Sequence, residues 1–302
     1  MRKRRAFISF PEENGNNVEL LAFQKKLEGL NIRFSVQIYT QNGMPANANI
    51  EVYNLNREDL DYLSTIARTY LKKNHMFQLY AGYEDDVNML FSGMALEAIP
   101  DGYPDVVLRI SGMSNIKFWG ENINLQKSNV KVMDLIDEAA KKMNYTVNID
   151  NNLRNNNPLL NRTKDEFSFT GSPMDLLEEA QNMMGGITSD PQTVFLSVYN
   201  DQINIWSPSV TNVSKKLIIS KETGMIGLPK ATQTGCQVKI LMNTGIKTGD
   251  VVEVRSERIK ILNGEYYVIG VSHDGELRGN TWETTLECAL VSNFKGSQNE
   301  ER

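Results

Sequence analysis

Side chains able to do chemistry are few in this chain and widely spaced. The 302 residues include two histidines, His75 and His273, and two cysteines, Cys236 and Cys288. These do not make the short-spaced ligand set of a zinc site. No Ser-His-Asp arrangement can be assembled around histidines so sparse. His273 shares the parity of Tyr267, Ile269 and Val271 at a strand end and reads as a structural histidine bonding a turn. His75 precedes a strand and has no visible partner. Glu178 and Glu179 adjoin on a helix, where neighbours at i and i+1 do not face each other, so they read as a solvated face and not as a glycosidase pair. Asp85-Asp86 falls in a hairpin turn and reads the same way. Met184-Gly185-Gly186 ends a helix, where glycine is a C-cap; a phosphate cradle needs glycines ahead of a helix. Cys288 shares the parity of Trp282 and Leu290 and reads as a core thiol, with a disulfide or metal pair as the other reading. The expectation is a chain with no catalytic, cofactor-binding or metal-binding residues.

Composition points the same way. Hydrophobic residues make up 40% and charged residues 23%, ordinary values for a soluble globular protein of two or three domains. The net charge of −5, from 32 basic and 37 acidic side chains, argues against a general nucleic-acid binder, which carries a basic excess. A channel through which nucleic acid passes without sticking stays compatible with it. The sparse cysteines fit a reducing compartment. After Met1 the basic residues Arg2, Lys3, Arg4 and Arg5 are followed by an apolar run that ends at Pro11, too short for a signal peptide. No stretch approaches a membrane span. The basic run reads as a solvated arm, with contact to an acidic neighbour as the second reading.

The elements that position these residues are mostly strands. Gly235 to Val291 alternates apolar and polar residues between Gly-rich turns, with Trp282, Leu286, Cys288 and Leu290 on one parity. Turns at Thr244-Gly245, Asn263-Gly264 and Asp274-Gly275 predict closure as a small barrel or sandwich, with Trp282 and Leu286 anchoring its core. Residues 1–115 read as a first β-module. Ile32, Phe34, Val36 and Ile38 alternate with Arg33, Ser35 and Gln37; further strands run at 47–53, 76–83, 89–99 and 105–113. One helix lies between, capped by Asn56, acidic early and basic at Arg68, Lys72 and Lys73. Residues 116–212 read as an α/β insert. Its two helices match at a shift of 41 residues, Met133 to Ala140 over Met174 to Gln181, and each precedes a short strand, at 145–149 and 194–199. Ser172-Pro173-Met174-Asp175 is a capping box. Asn151 to Asp165 reads as a loop and 207–216 as a linker. Residues 213–302 hold the second β-module, with a disordered tail from Gln298. The fold class is α+β, mainly β: two antiparallel β-barrel or sandwich modules with an α/β insert between them.

In this order the chain resembles the baseplate hub proteins of contractile-tailed bacteriophages, whose tube-like domains also occur in the hub of type VI secretion spikes. Ile50-Glu51-Val52-Tyr53-Asn54-Leu55, Leu79-Tyr80-Ala81-Gly82-Tyr83 and Phe91-Ser92-Gly93 look like the first tube-like domain. The helices at 130–143 and 173–184 look like the insert. Gly264-Glu265-Tyr266-Tyr267-Val268, His273-Asp274-Gly275 and Gly279-Asn280-Thr281-Trp282 look like the second. The resemblance marks Asn54, Gly82, Gly93, Tyr267, His273, Gly279 and Trp282 as structural-motif residues. It implies no enzyme activity and no cofactor. It implies a homotrimeric, pseudo-hexameric ring in the virion tail, assembled in the host cytoplasm. Such a ring would join the tail tube protein to the central spike protein, beside other baseplate proteins and the tape measure protein. DNA would pass through its lumen without specific binding, and no membrane insertion is implied. A lumen of this kind is expected to be acidic or neutral, since a basic wall would hold phosphates.

The second reading is a glycan-binding module, because small βαβ-like halves also occur in peptidoglycan-binding repeats. It requires a groove of exposed aromatics in the insert, where Phe118, Trp119, Tyr145, Phe167 and Phe169 are the candidates. A third, a hydrolase acting on wall fragments, requires an acid whose substitution abolishes turnover.

Overall fold

The computed structural model describes residues 3–10, 26–39, 45–65, 76–84, 86–102, 105–114, 121–185, 192–209 and 216–291. Arg68, Lys72, Lys73, His75, Asp85, Phe118, Trp119, Gly186 and the tail from Gln298 lie outside the described residues.

The N-terminal third contributes β1 (Arg4–Ser9), β2 (Lys26–Glu28), β3 (Asn31–Tyr39), β4 (Asn47–Tyr53), α1 (Arg57–Thr65), β5 (Met76–Tyr83), β6 (Asp86–Asp101) and β7 (Val107–Met113). The alternation read from β3 holds: Ile32, Phe34, Val36 and Ile38 are buried, and Ala48, Ile50 and Val52 on β4 and Leu108 and Ile110 on β7 meet them in one core. Ile8, Phe77 and Leu79 close that core from β1 and β5. Asn56 caps α1 through its Oδ1, which accepts from the Asp59 N–H at 2.8 Å.

The middle of the chain holds β8 (Ile123–Lys131), α2 (Val132–Met143), β9 (Thr146–Ile149), α3 (Asn151–Asn156), β10 (Thr163–Gly171), α4 (Pro173–Met184), β11 (Phe195–Tyr199) and β12 (Gln202–Trp206). The 41-residue shift carries α2 onto α4 end to end. In both, the carboxylate three residues into the helix turns back to the N-cap backbone: Lys131 N–H donates to Asp134 at 3.1 Å and Ser172 N–H to Asp175 at 2.8 Å. The strands ahead of the two helices, β8 and β10, pair with each other antiparallel. Leu135, Ile136, Ala139, Leu176, Leu177 and Ala180 share one core. The 151–165 segment differs from the expected loop. Asp150 accepts from Asn152 N–H and Leu153 N–H and nucleates α3, which buries Leu153. Asparagine-rich composition hid a capped helical turn.

The C-terminal third adds β13 (Lys216–Ile219), β14 (Met225–Ala231), β15 (Gly235–Leu241), β16 (Val251–Val254), a 3-10 turn at Lys260–Leu262, β17 (Gly264–Glu276) and β18 (Trp282–Leu290). The expected linker at 207–216 therefore ends in a strand residue, and 210–215 lie outside the described residues.

The fold class is mainly β α+β, as the alternation implies. Closure into barrels is not what the strands do. Strands of the N- and C-terminal thirds form one open 13-stranded sheet, ordered β14-β15-β18-β17-β3-β4-β7-β6-β5-β1-β2, with β16 and β13 branching beside β17. The length of β17 explains the continuity. Its first half pairs with β16 at 264–267, and its second half pairs with β3 at 270–276. The register breaks between Val268 and Gly270. A β-bulge of this kind turns the following residues to the other face. Tyr267 and Val271, read from the sequence as one face, therefore lie on opposite faces: Tyr267 packs against the insert and Val271 into the C-terminal core.

Arg2 lies outside the described residues, but Lys3, Arg4 and Arg5 are not a free arm, and the second reading, contact with acidic neighbours, holds for Lys3 and Arg5. Arg4 and Arg5 are strand residues of β1, paired with Tyr83 and Gly82 of β5. Lys3 pairs with Glu84 at 3.2 Å and Arg5 with Glu28 at 2.6 Å. Arg4 reaches the β17–β18 turn, donating to the carbonyls of Glu276 at 3.1 Å and Gly279 at 2.6 Å.

Candidate functional site

Every strand that buries one parity presents the other, and register decides what gathers there. From β6 to β17, one cross-strand row reads Ile99, Arg109, Glu51, Arg33, Glu276. The next, extended to β18, reads Glu97, Ser111, Asn49, Ser35, Asp274, Glu283. Further rows bring Asn47, Gln37, Ser272, Thr285 and Lys239 together, then Tyr39, Gly270, Glu287, Gln237 and Lys230. This face is polar from β6 to β14. Side chains of β6, β7, β4, β3, β17, β18 and β15 line a single groove of about 820 Å³. Adjacent strands lie about 4.8 Å apart, so a flat sheet would hold the outermost of these seven strands about 29 Å apart. That both border one groove means the polar face is concave.

Among the described residues the face carries seven carboxylates, Glu51, Glu97, Asp101, Asp274, Glu276, Glu283 and Glu287, against four cations, Arg33, Arg109, Lys230 and Lys239. Three of the cations are neutralised locally. Arg33 lies 3.8 Å from Glu51, Arg109 reaches Glu51 at 3.4 Å and Asp101 at 2.5 Å, and Lys239 bonds Glu283. The surplus is negative, and the arrangement offers no concentrated positive charge to a phosphate.

The residues singled out from the sequence hold this face in shape from its back and its ends, and do not form a site. Asn54 turns the chain after β4 with φ +57°, its N–H donating to Val106 O at 3.1 Å. Gly82 lies near the end of β5, just ahead of the β5–β6 turn, where a Cβ would meet Asp86 O at 1.9 Å. Gly93 lies under the Phe91 ring, which a Cβ would meet at 2.5 Å. Tyr267 is buried 5.7 Å from Trp206 in the joint between insert and sheet, and its hydroxyl donates to Pro208 O at 3.5 Å. Gly279 supplies the carbonyl that Arg4 binds. His273 is 2% exposed, with Nδ1 3.0 Å from Thr284 Oγ1. Burial lowers its pKa to about 4, so it is neutral, against the opposing field of Asp274. Thr284 Oγ1 also accepts from Asn243 N–H at 3.0 Å, so the histidine supports a turn through a strand neighbour. Trp282 is buried, but in the N-terminal core: its ring meets Phe34 edge-on at 5.6 Å, with the Arg4 guanidinium 5.4 Å away. Leu286 does lie in the C-terminal core.

Residues that give the concave face its charge were not singled out from the sequence. The signal was present in the same strands, as the polar parity of Arg33, Ser35 and Gln37. What the sequence did not carry was the pairing order that lays these rows side by side. Among the described residues no group of three or more His, Cys, Asp or Glu side chains is placed to hold a metal ion. Among the described residues no helix is long and apolar enough to cross a membrane.

Solved structures share this fold. The 43 kDa tail protein of prophage MuSo2 from Shewanella oneidensis superposes with a TM-score of 0.63 at 10% identity, covering 96% of this chain and 99% of that one. A tail protein from Neisseria meningitidis MC58 gives 0.63 at 9% identity, covering 95% and 96%. The E. coli c3393 protein, described as a component of the type VI secretion system with structural similarity to T4 tail proteins gp27 and gp5, gives 0.57 at 8% identity, covering 88% and 75%. At these identities the likeness is one of fold. The curated proteins contain no match to the sequence. Residues 17–288 match the family described as baseplate hub gp41, and the chain belongs to that family. Its role is therefore that of a structural protein of a phage tail.

Proposed function

We propose that this chain is the baseplate hub itself: three copies close a pseudo-hexameric ring that joins the tail tube to the central spike, with the concave face lining the channel for DNA. The carrying observation is that face, which is continuous across both β-regions, curved, and richer in carboxylates than in cations. Like charge lets a polyanion slide, whereas an uncompensated basic wall would hold it through counterion release. In this reading the three chains supply six β-regions, two from each, and the insert, which meets the sheet at Tyr267 and Ala289, lies at the periphery or toward the spike. The division into 1–115, 116–212 and 213–302 is part of the proposal.

Glycan binding draws no comparable support. It needs exposed aromatic platforms in the insert; there Phe167 is buried, Phe169 is half-buried and stacked on it, Tyr145 is held by Asp201, and Phe118 and Trp119 lie outside the described residues. Charge reversal tests the channel directly. Glu97→Lys with Glu287→Lys changes two solvent-facing side chains, so stability should move by less than about 0.5 kcal/mol for each. Particles carrying the pair are expected to assemble and to release DNA more slowly at low salt than at high salt. Unchanged, salt-independent release would remove this face from the channel.

A further inference from the structure

Cys236 and Cys288 stand directly opposite each other on β15 and β18. Thr234 and Leu290 mark a hydrogen-bonded position of this ladder, with Leu290 N–H donating to Thr234 O at 3.1 Å. Met242 and Trp282 mark another, with Met242 N–H donating to Trp282 O at 3.1 Å. Such positions recur every second residue, so Cys236 and Cys288 also form a hydrogen-bonded pair, with Cα atoms about 5.5 Å apart. That separation lies inside the Cα range a disulfide spans, about 4.4–6.8 Å, while the Cβ atoms of such a pair, about 5.5 Å apart, must close by about 1 Å to bond, a movement the edge hairpin has to supply. Both side chains enter the C-terminal core, at 0% and 1% exposure, and both are free thiols.

We propose that Cys236 and Cys288 are a dithiol modification site that closes to an intramolecular cross-strand disulfide when the folded chain meets a small disulfide oxidant. Access comes from the sheet edge. β15 is covered on its outer side by β14 alone, and that pairing loses register between Ile226 and Lys230. Opening of this hairpin bares Cys236 first. The Cys288 thiol and the Tyr266 hydroxyl beside Cys236 hold its pKa below the usual thiol value, which favours Cys236 as the attacking sulfur.

The reaction balances in two steps. The Cys236 thiolate attacks one sulfur of the oxidant, forming a mixed disulfide and releasing one thiolate. Cys288 then loses its proton to the released thiolate and attacks the Cys236 sulfur, expelling the second thiolate. The protein gives up two electrons and two protons, and one disulfide is reduced to two thiols. This inference does not depend on the hub reading.

The test uses the full chain, folded by circular dichroism, incubated with excess oxidised glutathione, then denatured, treated with iodoacetamide and weighed intact. The expected product is a single chain lighter than the reduced, unalkylated chain by two hydrogen atoms, with neither thiol alkylated. It is also expected to melt at a higher temperature. Two alkylated thiols, retained glutathione adducts, or chains joined in pairs would each overturn the proposal. Cys288→Ser should stop at one glutathione on Cys236, and an unmodified folded variant would contradict the assigned order of attack. If the variant does not fold, the wild-type masses decide.

Discussion

His273 is the residue whose burial has the clearest solution consequence. Its folded pKa of about 4 lies below the ordinary histidine value of 6.5, because burial penalises the charged ring. Between those values the unfolded chain binds the proton and the folded chain does not, so stability falls as pH drops from about 6.5 to about 4. The full window corresponds to about 3 kcal/mol. Urea unfolding of His273→Gln is expected to show a flatter pH dependence than wild type across this window. Parallel curves would place the titration elsewhere. Trp282→Ala is expected to cost about 3–5 kcal/mol, and the loss should appear in the N-terminal core around Phe34, measurable as faster amide exchange on β3. Exchange confined to β15 and β18 would contradict the packing. Burial of His273 and Trp282 was legible from strand parity. The face occupied by Tyr267 was not read, because one extra residue at Ile269 reverses the alternation, and its only mark in the sequence is Gly270, a glycine inside a strand.

At the scale of elements, most strand and helix positions follow from alternation and capping chemistry, as with Asn47–Tyr53 and Pro173–Met184. The capping box at Ser172 gives a direct check: Ser172→Ala removes the acceptor for Asp175 N–H and should cost about 1 kcal/mol, read as a lower urea midpoint at unchanged m. No change would mean that the Asp175 side chain alone holds the helix start. Arg4 shows what element-level reading misses. Its partners are backbone carbonyls of a turn more than 270 residues away, which no local pattern announces. Arg4→Met keeps the strand and the length of the side chain but removes the donors. Lost hydrogen bonds to a charged group are worth about 1.5–3 kcal/mol, and the loss should loosen the 276–281 turn in hydrogen exchange. A turn as protected as in wild type would reduce Arg4 to a surface contact.

For the whole molecule, the composition and order of elements gave the class, while the joining of the β-regions into one sheet depended on β17 serving two neighbours in turn. That continuity bears on assembly. Because the two β-regions of a chain are held edge to edge, three chains arranged about an axis supply six such regions in a fixed alternation, and closed homo-oligomers repeat one patch in this way. Family membership establishes the structural tail role; the three-fold ring is the central claim. It is tested most directly by the native mass of the assembled hub. Three times the 34.2 kDa chain is the result expected, with a central channel in the same preparation by electron microscopy. A stable dimer, or a ring of six chains, would contradict it.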